Sequence, residues 1–209
     1  MDSIAINIFQ ILILLFSVVI HEVCHGLMAL KLGDDTAKNE GRLTLNPIPH
    51  LDPIGSILLP AVLVLTGTGF VIGWAKPVPY NPLKLSKDLK YGPLKVALSG
   101  PASNLALALI FGLILRIGAP FMGPALVPLL IQIVFINVLL AVFNMMPVPP
   151  LDGSKILTVM LPPRYSMALQ SVGMGGIALV FLFLFLFGNL IFSLTAGLTS
   201  LIIGPIPLF

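Results

Sequence analysis

Apolar residues run along this chain in long stretches separated by three polar ones. Residues 4–20 are apolar and continue directly into His21-Glu22-Val23-Cys24-His25, so that a first segment closes near Leu32. A second apolar stretch, 51–73, is interrupted by Pro53, Pro60, Gly67 and Gly69. A third begins near Pro93 and ends near Ile117, and a fourth runs from about 125 to 146. Residues 167–208 are nearly all apolar, and Gly188-Asn189 divides them into two lengths that each suit a span of roughly 20 residues. The polar stretches are 31–50, 74–92 and 147–166. Lipid offers no partner for backbone N–H and C=O groups, so the spans must be helical. The pattern predicts an all-α polytopic membrane protein of about five transmembrane helices plus one re-entrant or sixth membrane segment at 51–73. Residues 1–209 are expected to form a single membrane-embedded domain.

Composition agrees. Of 209 residues, 57% are hydrophobic and 9% charged, against roughly 25% charged in a soluble globular domain. The mean hydropathy is +1.08, so the solvent around most of the surface should be lipid. The net charge of +3 comes from basic residues scattered through loops, which points to a membrane surface and away from nucleic acid. A lone cysteine, Cys24, excludes an intrachain disulfide. The N-terminus lacks the basic region of a cleaved signal peptide, and the His-Glu motif inside the first apolar segment implies that the segment is retained.

Charge placement bears on segment 51–73. If it returns to the side it left, Lys31, Lys38, Arg42, Lys76, Lys84, Lys87, Lys90, Lys95, Lys155 and Arg164 share one side and Arg116 alone lies opposite. If it crosses, the basic residues divide four to seven. The first split is the stronger positive-inside signal, although Lys95 is close enough to a helix end to snorkel. It favours a re-entrant segment, an extracytoplasmic N-terminus and a site facing the cytoplasmic side of the cell membrane.

The chemistry begins at His21-Glu22-Val23-Cys24-His25. Residues four apart on a helix share a face one turn apart, so two imidazoles there can bind one zinc ion. Glu22 lies about 100° round from His21, where it can take a proton from a water at the metal. A helix end whose charges reach the headgroups is the plain alternative, but ionisable groups in apolar spans are usually functional. A catalytic zinc usually takes three protein ligands. The best third candidate is Asp152 in Asn144-Met145-Met146-Pro147-Val148-Pro149-Pro150-Leu151-Asp152-Gly153. Its prolines enforce an extended approach, although Asp-Gly is equally a common solvated turn. In Gly100-Pro101-Ala102-Ser103-Asn104 the small residues allow close helix packing. Asn104 there is either interhelical glue or a group beside the site. Cys24 reads first as a small buried residue and second as a thiolate ligand. His50 is an extra ligand, a partner to a ligand or a gate, against a loop histidine that only hydrogen-bonds.

H-E-x-x-H in a span, G-P-x-x-N opening a later one and then N-x-x-P-x-P-P-L-D-G resemble the site-2 protease family of intramembrane zinc metalloproteases. The motifs cover about residues 17–155. Gly41-Arg42-Leu43-Thr44-Leu45-Asn46-Pro47, His50, Asp52-Pro53 and Gly73-Trp74-Ala75-Lys76-Pro77-Val78-Pro79 are similar to compact prokaryotic members. No PDZ-like or other regulatory domain is seen. The resemblance implies one zinc per chain held by His21, His25 and Asp152, with Glu22 activating water. It also implies that Asn144, with Asn104, sits near the substrate backbone or developing oxyanion. The expected function is hydrolysis of peptide bonds within or near transmembrane segments of membrane protein or peptide substrates, in regulated intramembrane proteolysis. Segment 51–73 and residues 74–80 are candidates for an edge that holds the extended substrate. The rival is a membrane transporter or metal-handling protein with a zinc site, since Gly/Pro-broken segments also line transporter sites. Such a protein has no need of Glu22 directly after His21.

Overall fold

The computed structural model describes residues 3–58, 62, 65 and 74–206. Its helices are α1 (Ser3–Lys31), the short α2 (Thr36–Asn39), α3 (Gly92–Gly118), α4 (Leu126–Asn144), α5 (Asp152–Met160), α6 (Pro163–Ser171) and α7 (Gly176–Ile203), with no strand among the described residues. Four of them, α1, α3, α4 and α7, are long and apolar enough to cross a membrane. The protein is an all-α, multi-pass membrane protein.

One expectation is corrected. Residues 167–208 do not form two spans, because α7 runs unbroken through Gly188-Asn189. A mid-helix Gly costs only about 1 kcal/mol, whereas a break in lipid strands several backbone groups. The spanning helices among the described residues therefore number four, not five. Segment 51–73 lies largely outside the described residues, and only a π-helical turn, Pro53–Leu58, is seen at its start. The ends of that segment lie side by side. Trp74 N–H donates to the Gly55 carbonyl (3.2 Å) and Lys76 N–H to the His50 carbonyl (2.9 Å). The Ser56 hydroxyl donates to the Trp74 carbonyl (2.7 Å).

Helix α3 is the centre of the bundle, packing on α1, α4, α5 and α7. Ala108 and Leu115 of α3 meet Leu130, Ile131, Val134 and Val138 of α4 and Ile203 of α7 in one buried cluster. Lipid tails are as apolar as these side chains, so close fit and polar contacts hold the helices together, not exclusion of water. Asn104 of α3 donates to Asn137 of α4 (3.0 Å), both fully buried. Arg116 of α3 donates to the Leu201 carbonyl of α7 (2.5 Å). The outer face of α7, including Phe181, Leu182, Phe185 and Leu186, is exposed and faces lipid.

Helix α1 ends at Gly33, whose φ of +110° L side chains rarely adopt. The chain then folds back, and Asp34 N–H reaches the Ala29 carbonyl (2.9 Å). The Asp34 side chain is fully buried. It accepts from Thr36 N–H (3.0 Å), the Thr36 hydroxyl (2.5 Å) and Asn81 N–H (2.6 Å). Burial alone would raise its pKa, but the bonds from Thr36 and Asn81, with Lys84 nearby, outweigh burial and hold the carboxyl below its ordinary value. A depressed folded-state value gives stability that is complete above the unfolded carboxyl's titration near pH 4 and is lost as pH falls through the folded value. Asp34→Asn should therefore lower stability by on the order of 1 kcal/mol at pH 7, measured by thermal unfolding in detergent. The gap to wild type should shrink on acidification through that window, and a gap constant down to pH 3 would exclude this carboxylate as its source.

Candidate metal centre

His21 and His25 lie one turn apart on α1, both buried, with Nε2 atoms 3.0 Å apart. Asp152, the first residue of α5, brings Oδ2 to 3.1 Å from His21 Nε2 and 3.0 Å from His25 Nε2. Two features let helix backbones approach so closely. A Cβ at Gly100 would stand 2.4 Å from His25 Nε2 and 2.5 Å from His21 Nε2, so α3 passes directly beside the imidazoles. A Cβ at Gly153 would meet the Met145 carbonyl oxygen at 2.2 Å, so α5 begins pressed against the end of α4.

The far sides of the two rings fix their protons. His25 Nδ1 donates to the Val96 carbonyl (2.7 Å), which can only accept. Asn104 Nδ2 donates to the Ser17 carbonyl (3.3 Å) and Asn137 Oδ1 (3.0 Å), and Asn137 Nδ2 donates to the Ile133 carbonyl (2.9 Å). Asn104 therefore turns Oδ1 toward His21, and His21 Nδ1 donates to it (2.6 Å). With Nδ1 protonated on both neutral rings, each Nε2 carries a lone pair. Asp152 faces the Lys155 ammonium, which donates to its Oδ1 and favours the carboxylate form. Two lone pairs and a carboxylate oxygen thus point at one another with no hydrogen between them, an arrangement that calls for a cation. Imidazole and carboxylate donors suit zinc. Neighbouring ligands in a tetrahedral zinc site stand about 3.3–3.4 Å apart for bonds of about 2.0–2.1 Å, close to the spacing found.

Other predicted residues lie as follows. Glu22 is half-buried, and its Oε2 accepts from Val78 N–H (2.7 Å). Asn144 donates to the Leu140 carbonyl at the end of α4 (3.0 Å). His50 is fully buried and donates from Nε2 to the Thr44 carbonyl (2.9 Å). Neither His50 nor Cys24 joins the ligand cluster among the described residues. Two site residues escaped the sequence. Lys155 binds Asp152 Oδ1 (2.9 Å), leaving Oδ2 for the histidines. Asn137 supports Asn104, and its signal was the same as that of Asn104, an amide inside an apolar span.

Residues 119–188 match Peptidase family M50. YwhC of Bacillus subtilis, provisionally named a zinc metalloprotease, is 39% identical over 205 residues, covering 93% of this chain and 89% of that protein. The chain belongs to peptidase family M50, the site-2 protease family. Rip2 of Mycolicibacterium smegmatis, likewise provisionally named, is 32% identical over 79% of this chain and 62% of its own. Zinc metalloprotease MJ0392 of Methanocaldococcus jannaschii is 30% identical over 73% of this chain and 34% of its own. No solved structure matches. This M50 peptidase is a zinc metalloprotease, and the transporter alternative falls away.

The orientation of His21 by Asn104 predicts a measurable cost. Asn104→Ala should weaken zinc affinity by about 10–100-fold, as losing a partner behind a ligating imidazole commonly does. Asn137→Leu should act in the same direction, and Asn144→Ala should leave zinc retention unchanged. Competition with a chelator reads all three. Equal retention by Asn104→Ala and wild type would mean that something else sets the His21 tautomer.

Proposed function

We propose that this M50 peptidase hydrolyses peptide bonds within or near the membrane-spanning segments of other proteins, in regulated intramembrane proteolysis, with residues 1–209 acting as one membrane-embedded unit. In this reading His21, His25 and Asp152 hold one zinc ion per chain and Glu22 is the general base. The observation that supports it is the convergence of three proton-free donors beside α1 and α3, two helices long enough to cross a membrane. A bond presented there belongs to a substrate in or at the bilayer.

When bound, zinc supplies a Lewis acid that polarises a carbonyl and makes water acidic near neutral pH. The chain's own residues do the rest. Val96 and Asn104 keep the proton of each neutral imidazole on Nδ1 and point each Nε2 inward. Glu22 accepts a proton from the attacking water and returns it to the leaving amine. Asn104 is engaged on three sides, by His21, Ser17 and Asn137, so its part is orientation. Asn144 keeps a second amide N–H for the developing oxyanion. A substrate helix has satisfied backbone bonds, so it must be drawn out locally before attack. Glu22→Gln should keep about one zinc per chain and lower hydrolysis of a detergent-solubilised transmembrane peptide by 10²-fold or more, since the amide cannot take the proton. Robust cleavage by that variant would transfer the role of base elsewhere.

We place the polar loops and the site on the cytoplasmic side of the cell membrane. The ten-to-one division of Lys and Arg supports this, as does the pairing of His50 and Gly55 with Lys76 and Trp74 at the two ends of the 51–73 segment. With Cys24 replaced by Ala, single cysteines at Lys38, Lys87, Gly118 and Ser154 would be probed by an impermeant thiol reagent on intact cells. Only position 118 should label. Labelling at 87 but not at 38 would mean that 51–73 crosses.

A further inference from the structure

We propose that the backbone N–H of Val78 is a positioning group for Glu22 and that Arg42 is a positioning residue that acts through the strap carrying it, residues 76–81. This rests on the reading of Glu22 as the base. In Pro77-Val78-Pro79 the prolines have no N–H and hold the backbone extended, so Val78 offers the one donor of the three. That donor lies 2.7 Å from Glu22 Oε2. The strap is fastened on both sides of it. Arg42 Nη2 donates to the Lys76 carbonyl (2.7 Å) and the Pro77 carbonyl (3.3 Å). Lys76 N–H is tied to the His50 carbonyl, and Asn81 N–H to Asp34 (2.6 Å).

Two further features mark the arrangement as built. Arg42 is only 5% exposed, and no carboxylate pairs with it among the described residues. A buried cation is costly, and this one is spent on strap carbonyls. Gly26, one turn beyond Glu22, is packed against the strap, for a Cβ there would come to 2.9 Å from Val78 Cγ1. The strap thus lies directly on α1. Holding Oε2 leaves Oε1 to take the proton and spares the flexible side chain the loss of freedom at the moment of reaction.

The test uses the full-length, zinc-loaded protein. Val78→Pro removes the N–H, Val78→Ala keeps it, and an amide-to-ester replacement at Val78 removes it with the side chain intact. Val78→Pro should lower kcat about tenfold or more below Val78→Ala, and the ester about as far below wild type, with KM and zinc content unchanged. Arg42→Gln should lower kcat in the same way and Arg42→Lys should restore part of it. In a Glu22→Asp background, whose carboxylate is one methylene shorter, Val78→Pro should add little, a coupling that general damage would not produce. In the metal-free protein, the Glu22 carboxylate infrared band, identified by its loss in Glu22→Gln, should shift in the ester and not in Val78→Ala. If Val78→Pro loses zinc, the ester decides. Wild-type kcat in the ester, or equal losses in both backgrounds, would overturn the proposal while leaving Glu22 as base. An active Glu22→Gln would overturn both.

Discussion

Two imidazole lone pairs and a carboxylate oxygen repel one another when held about 3 Å apart in a medium of low dielectric, unless positive charge lies between them. The rest of the structure supports that convergence. Helices α1 and α3 run antiparallel, so that Ser17 and His21 face Asn104 while His25 faces Val96. The absence of a side chain at Gly100 leaves the imidazoles their space. Helix α5 starts at the carboxylate itself, held down at Gly153. Positive charge between them relieves that repulsion, so metal loading should stabilise the packing of this half of the bundle.

Much of this was legible in the sequence, and the reasons differ by residue. His21 and His25 carried a helical spacing inside an apolar run, where a chance pair of imidazoles is expensive. Asp152 is ambiguous on its immediate neighbours, because an Asp-Gly pair looks the same in any surface turn, and only the longer motif around it marks it as a ligand candidate. The spans at the start and middle of the chain were fixed by length and hydropathy. The C-terminal stretch was misjudged because Gly and Asn punctuate structure in water, where exposed backbone finds solvent, and lipid removes that option. Asn137 carries the same signal as Asn104, an amide in an apolar span, but no motif surrounds it to single it out. Lys155 and Val78 were illegible for another reason. Their roles depend on a side chain three residues back and on a carboxylate 56 positions away, a pairing set by the path of the chain after α1.

The loops beyond the spans are not fillers. Asp34 holds Asn81, Arg42 holds Lys76 and Pro77, and Lys87 N–H returns to the Leu32 carbonyl (3.1 Å). These bonds tie the exit of α1 to the approach of α3, the two helices that frame the ligands. Backbone without regular structure is tolerated beside a membrane when protein groups satisfy it, and here a buried carboxylate and a buried guanidinium do so.

The line of partners from the Ile133 carbonyl through Asn137 and Asn104 to His21 also determines what cannot pass through it. Every member before the imidazole is an amide. Amides give and receive hydrogen bonds but do not take up and release protons as the carboxylates and histidines of pumps do. A carboxyl at either position could still accept the bond that reaches it, yet would lose the amide's donors and open a relay for hydrogen ions toward the interior of the bundle. Two asparagines orient the ring and insulate it, so an enzyme that needs water on one side of its metal need not leak the membrane's proton gradient on the other.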